Sequence, residues 1–124
     1  MATAMVIDDS KAIRLILTRS LTKFGYEVCT AENGKEALAI LNRQAPEVAF
    51  FLVDWSMPEL SGIEFIQRVR AMPSYAHVPL MMVTTETELA NMIQALEAGA
   101  NEYVMKPFTE EIIADKLRLL GVLD

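Results

Sequence analysis

The apolar residues of this chain change period repeatedly: short runs of β-prone aliphatics alternate with longer stretches whose apolar positions recur every three or four residues. Ala4 to Ile7 reads as a first strand. From Ser10 a helix runs to Phe24, with Ile13, Leu17, Leu21 and Phe24 on one face and Gly25 placed for a left-handed C-cap. Tyr26 to Ala31 is a second strand. After the Asn33, Gly34 turn, Ala37, Leu38 and Leu41 mark the buried side of a helix that stops before Pro46. Val48 to Val53 is apolar without alternation, which predicts a central strand covered by helices on both faces. It ends abruptly at Asp54. A turn containing Pro58 and Gly62 leads to a third helix, Ile63 to about Met72, and Leu80 to Val83 supplies the fourth strand. Thr85 with Glu88 three residues later has the form of a capping box for a fourth helix, which Gly99 closes. Tyr103 to Met105 is the fifth strand, and Thr109 caps a last helix carrying Ile112, Ile113, Leu117 and Leu120.

Five strands and five helices in strict alternation, joined by right-handed crossovers, predict one α/β domain with a doubly wound parallel sheet. Ligands of such sheets sit beyond the carboxyl ends of the strands. Polar residues that directly follow a strand are therefore the ones to weigh.

Composition excludes several classes of function. A net charge of −6 repels nucleic-acid backbones, so no nucleic-acid partner is expected. The lone Cys29 cannot form an internal disulfide and reads as a small buried hydrophobe. No apolar run approaches the roughly 18 residues of a membrane span, and the amino terminus lacks a signal-peptide pattern. A cytoplasmic protein without a membrane partner is expected, with residues 1–124 forming a single domain and no output domain.

Asp8 and Asp9 follow the first strand, Asp54 the third, Thr84 the fourth and Lys106 the fifth. Each has an ordinary reading alone: acidic residues before a helix serve as N-caps, a strand-end threonine as a local hydroxyl, a lysine as a solvated charge. Asp54 is harder to dismiss, because a carboxylate closing an apolar strand is costly to desolvate without a partner. Together, three carboxylates on one rim repel one another unless positive charge offsets them. Oxygen donors of this kind suit Mg²⁺, and a cation beside a carboxylate, a lysine and a hydroxyl is an arrangement for phosphoryl transfer.

This set, together with Pro107, the run Asp54, Trp55, Ser56, Met57, Pro58 and the run from Ala98 to Phe108, resembles the receiver domains of bacterial response regulators, most closely the CheY-like chemotaxis type. The resemblance covers essentially the whole chain. It implies a (βα)5 flavodoxin-like fold with strand order 2-1-3-4-5. It also implies that Asp54 accepts a phosphoryl group from a histidine kinase. Asp9, Asp54 and the backbone carbonyl of Ser56 would then hold Mg²⁺ directly and Asp8 would hold it through water, with Mn²⁺ as a substitute. Lys106, aimed by a cis bond to Pro107, would neutralise phosphoryl oxygens. Thr84 would bond the phosphoryl group, and Tyr103 would turn inward. Ser56, Thr85 and Glu86 stand where such domains tune their rates, and Thr85 is bulkier than the alanine or glycine often found there.

The implied output face holds Met92, Leu96, Tyr103, Met105 and Lys116, although methionines at helical spacing are more often core filler. Implied partners are a chemotaxis-type kinase, a flagellar motor switch protein or other effector, and a phosphatase, with the chain itself a monomer rather than an enzyme acting on other substrates. A phosphorelay shuttle and a phosphate sink would share every site residue. An aspartate-nucleophile phosphatase would need a second acid where Ser56 stands. A flavin module would need a phosphate loop where Asp8 and Asp9 would repel it. His77, in a loop before Pro79, reads as solvent-facing.

Overall fold

The computed structural model describes residues 2–86 and 88–124. Along the chain run β1 (Thr3–Ile7), α1 (Lys11–Lys23), β2 (Glu27–Ala31), α2 (Gly34–Gln44), β3 (Phe50–Val53), α3 (Gly62–Arg70), β4 (Leu80–Thr84), α4 (Leu89–Ala98), β5 (Glu102–Met105) and α5 (Glu110–Leu119). A short 3₁₀ turn, Pro73–Tyr75, follows α3. The strands pair in parallel in the order β2-β1-β3-β4-β5.

Period-2 alternation of the central strands divides the core into two layers. Met5, Ile7, Phe51, Val53, Leu80, Met82 and Tyr103 pack with Ala37 and Leu41 of α2, Phe65, Ile66 and Val69 of α3, and Ala95 of α4. Ala4, Val6, Phe50, Leu52, Met81, Val83 and Val104 pack with Leu17 and Leu21 of α1 and Ile113 and Leu117 of α5. Both sheet faces are thus covered, which is why β1, β3 and β4 read as continuous apolar runs. Phe51 sits edge-on to Phe65 and Tyr75, with ring centroids 5.9 Å away in each case.

Several boundaries differ from the sequence reading for local reasons. β3 begins at Phe50 rather than Val48, where the chain is still leaving Pro46. The Tyr26 amide donates to the Leu21 carbonyl at the end of α1, so β2 starts one residue later. α3 starts at Gly62 with a capping box between Ser61 and Glu64 and ends at Arg70, ahead of Pro73. The capping box expected from Thr85 is absent. The N-cap of α4 is Glu88, with no side-chain cap bond, and Glu86 ahead of it is bonded to other elements: its amide donates to Thr84 Oγ1, and its carbonyl and carboxylate accept bonds from Tyr103 and Asn91. α2 ends on Ala45 with φ +43, a left-handed cap that a glycine would adopt at less cost. No helix among the described residues is long and apolar enough to cross a membrane.

Candidate metal and phosphoryl site at the strand ends

Strand register brings the site together. Ile7 lies level with Val53, and Val53 with Met82, so the residues after β1 and β3 emerge side by side. The Asp54 amide donates to the Ile7 carbonyl at 2.9 Å, and the Lys106 amide to the Thr84 carbonyl at 2.8 Å. Asp8, Asp54 and Thr84 are buried at this rim, while Asp9 is exposed.

Asp8, Asp9 and Asp54 each offer a carboxylate oxygen within 4.8 Å of the others. Mg²⁺ is held by a few protein oxygens and keeps several waters, so a cluster of this spacing could share one cation, directly or through water. Hard, anionic oxygen donors next to open solvent at Asp9 fit such an ion, and no softer donor belongs to the cluster.

Lys106 is the positive charge already in place. Its Nζ lies 2.8 Å from Asp8 Oδ2 and 3.6 Å from Asp54 Oδ2. The Lys106–Pro107 peptide is cis. The other oxygen of Asp8 accepts the Ser10 amide at 2.9 Å, and Asp54 Oδ1 accepts the Trp55 amide at 2.8 Å. Burial raises the Asp54 pKa above the usual carboxylate value and the Asp8 charge raises it further; Lys106, the Trp55 amide and the Thr84 hydroxyl pull the other way without cancelling it. A carboxylate held against its preference to protonate gains from any added cation.

Gly62 is required by this geometry. A Cβ there would lie 2.2 Å from the Asp54 carbonyl oxygen and 3.0 Å from Trp55 Cα, both backbone atoms, and the Gly62 amide donates to the Trp55 carbonyl at 2.8 Å.

The other residues singled out from sequence divide. Ser56 and Thr85 are exposed, and Glu86 is half-buried with its carboxylate held by Asn91 Nδ2 at 2.6 Å. Tyr103 is buried, its hydroxyl donating to the Glu86 carbonyl at 2.8 Å. Of the expected output face, Leu96 and Met105 are about half exposed, whereas Met92 packs against the core and Lys116 pairs with Glu102. Leu89 and Ile93 extend the exposed apolar surface of α4, and Ile112 lies exposed on α5. His77 is exposed, and Cys29 is half-buried.

Three polar residues escaped the sequence reading. Arg14 donates from Nη1 to the Asp8 carbonyl at 2.7 Å, Asn91 holds Glu86, and Arg70 bonds the carbonyls of Tyr75, Val78 and Gly99. Arg14 carried a usable signal, since a cation in the first turn of a helix opposes the helix dipole and calls for a specific partner.

Fold and site together define a doubly wound α/β domain with an acidic, lysine-paired rim suited to a divalent cation. A family profile described as the response regulator receiver domain matches residues 4–118. A chemotaxis protein CheY homolog of Campylobacter jejuni is 42% identical over 114 residues, 91% of this chain and 87% of the relative. Chemotaxis protein CheY1 of Helicobacter pylori strain J99 is 40% identical over 122 residues, 97% and 98% of the two chains. The solved structure of the chemotaxis response regulator CheY4 of Vibrio cholerae superposes with a TM-score of 0.89 at 35% identity, covering 97% of this chain and 98% of that one. The chain belongs to the response regulator receiver family, and its receiver domain is of the CheY type that serves two-component signalling.

Proposed function

We propose that this receiver accepts a phosphoryl group on Asp54 from a phosphohistidine of a partner kinase, in a Mg²⁺-dependent reaction, and thereby changes its affinity for an effector in chemotaxis. The observation that carries the reading is the meeting of Asp8, Asp9 and Asp54 beside Lys106 at the carboxyl ends of the strands. The names of the relatives from Campylobacter, Helicobacter and Vibrio support the chemotactic setting.

Asp54 Oδ1 is engaged by the Trp55 amide, which leaves Oδ2 the freer nucleophile. As that oxygen bonds to phosphorus, the P–N bond to the kinase imidazole breaks, its electron pair leaves with the ring nitrogen, and that nitrogen takes up a proton from solvent water. Lys106 already stands within 3.6 Å of the attacking oxygen, placed to meet the charge on the phosphoryl oxygens. Asp8, Asp9, Asp54 and the Ser56 carbonyl would hold Mg²⁺, which when bound neutralises charge on the transferring group.

The new dianion offers charge-assisted bonds to donors that approach it, Thr84 Oγ1 first. Drawing Thr84 and its loop inward favours the arrangement in which buried Tyr103 bonds the Glu86 carbonyl. The surface of α4, β5 and α5, with Leu96 and Met105 exposed, would read that change, a segment of the flagellar motor switch being the proposed effector.

Transfer of label from an autophosphorylated chemotaxis kinase tests the reading, with label expected on the native chain and none on Asp54→Asn. Persistent labelling of that variant would place the acceptor elsewhere. Binding of a motor-switch peptide, measured with and without beryllofluoride, separates a motor regulator from a phosphate shuttle or sink, because only the regulator gains affinity for that peptide.

A further inference from the structure

Arg14 sits in the first turn of α1, where its charge opposes the helix dipole. Its side chain is largely buried, and the nearest carboxylate oxygen, on mostly exposed Glu32, is 3.9 Å from Nη2. Its short bond runs instead to the main chain: Nη1 donates to the Asp8 carbonyl at 2.7 Å. That carbonyl belongs to the peptide joining Asp8 to Asp9. The Asp8 amide is bonded to the Ala31 carbonyl, and the Asp8 carboxylate to the Ser10 amide and Lys106. Among the described residues, by contrast, the Asp9 carboxylate makes no hydrogen bond or ion pair of its own. Arg14 thus holds the peptide plane from which Asp9 departs.

We infer that Arg14 is a positioning residue for the cation: through the Asp8 carbonyl it orients the Asp8–Asp9 peptide so that the Asp9 carboxylate faces the ion shared with Asp8 and Asp54. This inference rests on the metal-dependent reading above. It makes a prediction of sign. On charge alone, deleting Arg14 removes a repulsion from an incoming cation and tightens binding; as a positioning group, its deletion weakens binding, as loss of outer-shell partners does.

The test is Mg²⁺ titration followed by the fluorescence of Trp55, which adjoins Asp54, in the native chain and in Arg14→Met. Methionine keeps an apolar stem for packing and deletes both the donor and the charge. The dissociation constant is expected to rise on the order of tenfold. In phosphorylation by a small phosphodonor, the loss should fall on the half-saturating Mg²⁺ concentration rather than on the rate at saturation. Unchanged or tighter binding by Arg14→Met overturns the inference, as does a rate loss that saturating Mg²⁺ fails to recover. Should Arg14→Met not fold, as judged by melting without Mg²⁺, Arg14→Gln, whose neutral side chain falls short of the carbonyl, carries the same expectation. If the native chain itself does not bind Mg²⁺, the metal-dependent reading fails; if only the variant result is contrary, Arg14 alone loses its role.

Discussion

At the scale of single residues, Asp54 is held in a state its surroundings disfavour. Burial and the Asp8 charge raise its pKa, so the folded chain binds that proton more tightly than the unfolded chain does. The stabilising effect is therefore complete below the ordinary carboxylate pKa and is lost as pH rises through the raised value. Asp54→Asn lacks this titration. In urea denaturation without divalent cations, the native chain should lose stability relative to Asp54→Asn as pH rises through that window. At neutral pH the variant should be the more stable by about 1 kcal/mol, the scale on which relieving a strained functional site stabilises a fold. Parallel pH profiles would remove Asp54 as the source. Gly62 gives a second prediction at this scale. Gly62→Ala forces a methyl into the Asp54 carbonyl, a backbone atom that cannot swing aside, and should destabilise the fold by about 2–4 kcal/mol. A melting temperature equal to the native one would show that the β3–α3 loop yields more readily than its geometry implies.

Among elements, Arg70 ties the end of α3 to two loops. Its guanidinium bonds the carbonyls of Tyr75, Val78 and Gly99, and Asn101 Oδ1, which also accepts the Leu80 amide at the start of β4. Arg70→Met keeps much of the stem but orphans these acceptors, and a loss of about 3 kcal/mol in chemical denaturation is expected. A loss below about 1 kcal/mol would mean that water replaces the guanidinium at little cost. None of this was legible in the sequence, because all the partners but Asn101 are backbone carbonyls with no side-chain signature, and Gly99 and Asn101 lie 29 and 31 residues away. The existence and order of the elements were legible, since buried parallel strands must be apolar on both faces and helices must repeat every three or four residues. Their ends depended on partners. The start of α4 was misread because Thr85 and Glu88 match a cap motif locally, whereas the helix begins only after Glu88, which is itself the N-cap. Asp8, Asp54, Thr84 and Lys106 were legible for the opposite reason, as a polar residue that ends an apolar strand is conspicuous without any knowledge of its partner.

Across the whole molecule, the two apolar layers fix the strand ends from both sides, and the fold thereby holds three carboxylates closer than their charges favour. An acidic chain of net charge −6 adds to that repulsion. A cation bound only by the folded state would relieve it, and by mass action would stabilise the fold by about 2.7 kcal/mol at a hundredfold excess over the dissociation constant. For a domain of this size that corresponds to a rise of about 10 °C in melting temperature. Asp9→Ala separates the two sides of this balance, because Asp9 is exposed, with little packing to lose, and on the proposed reading would supply both charge and a ligand. Without Mg²⁺ the variant should melt at or slightly above the native temperature, having lost one repulsive charge. With Mg²⁺ it should gain only a small part of the native rise, so the order of the two melting curves inverts when the metal is added. Calorimetric scans of both proteins with EDTA and with saturating Mg²⁺ measure this directly. Equal Mg²⁺-induced shifts in the two would mean that the ion is held without Asp9, and the acidic rim would then have to be reassigned to Asp8 and Asp54 alone.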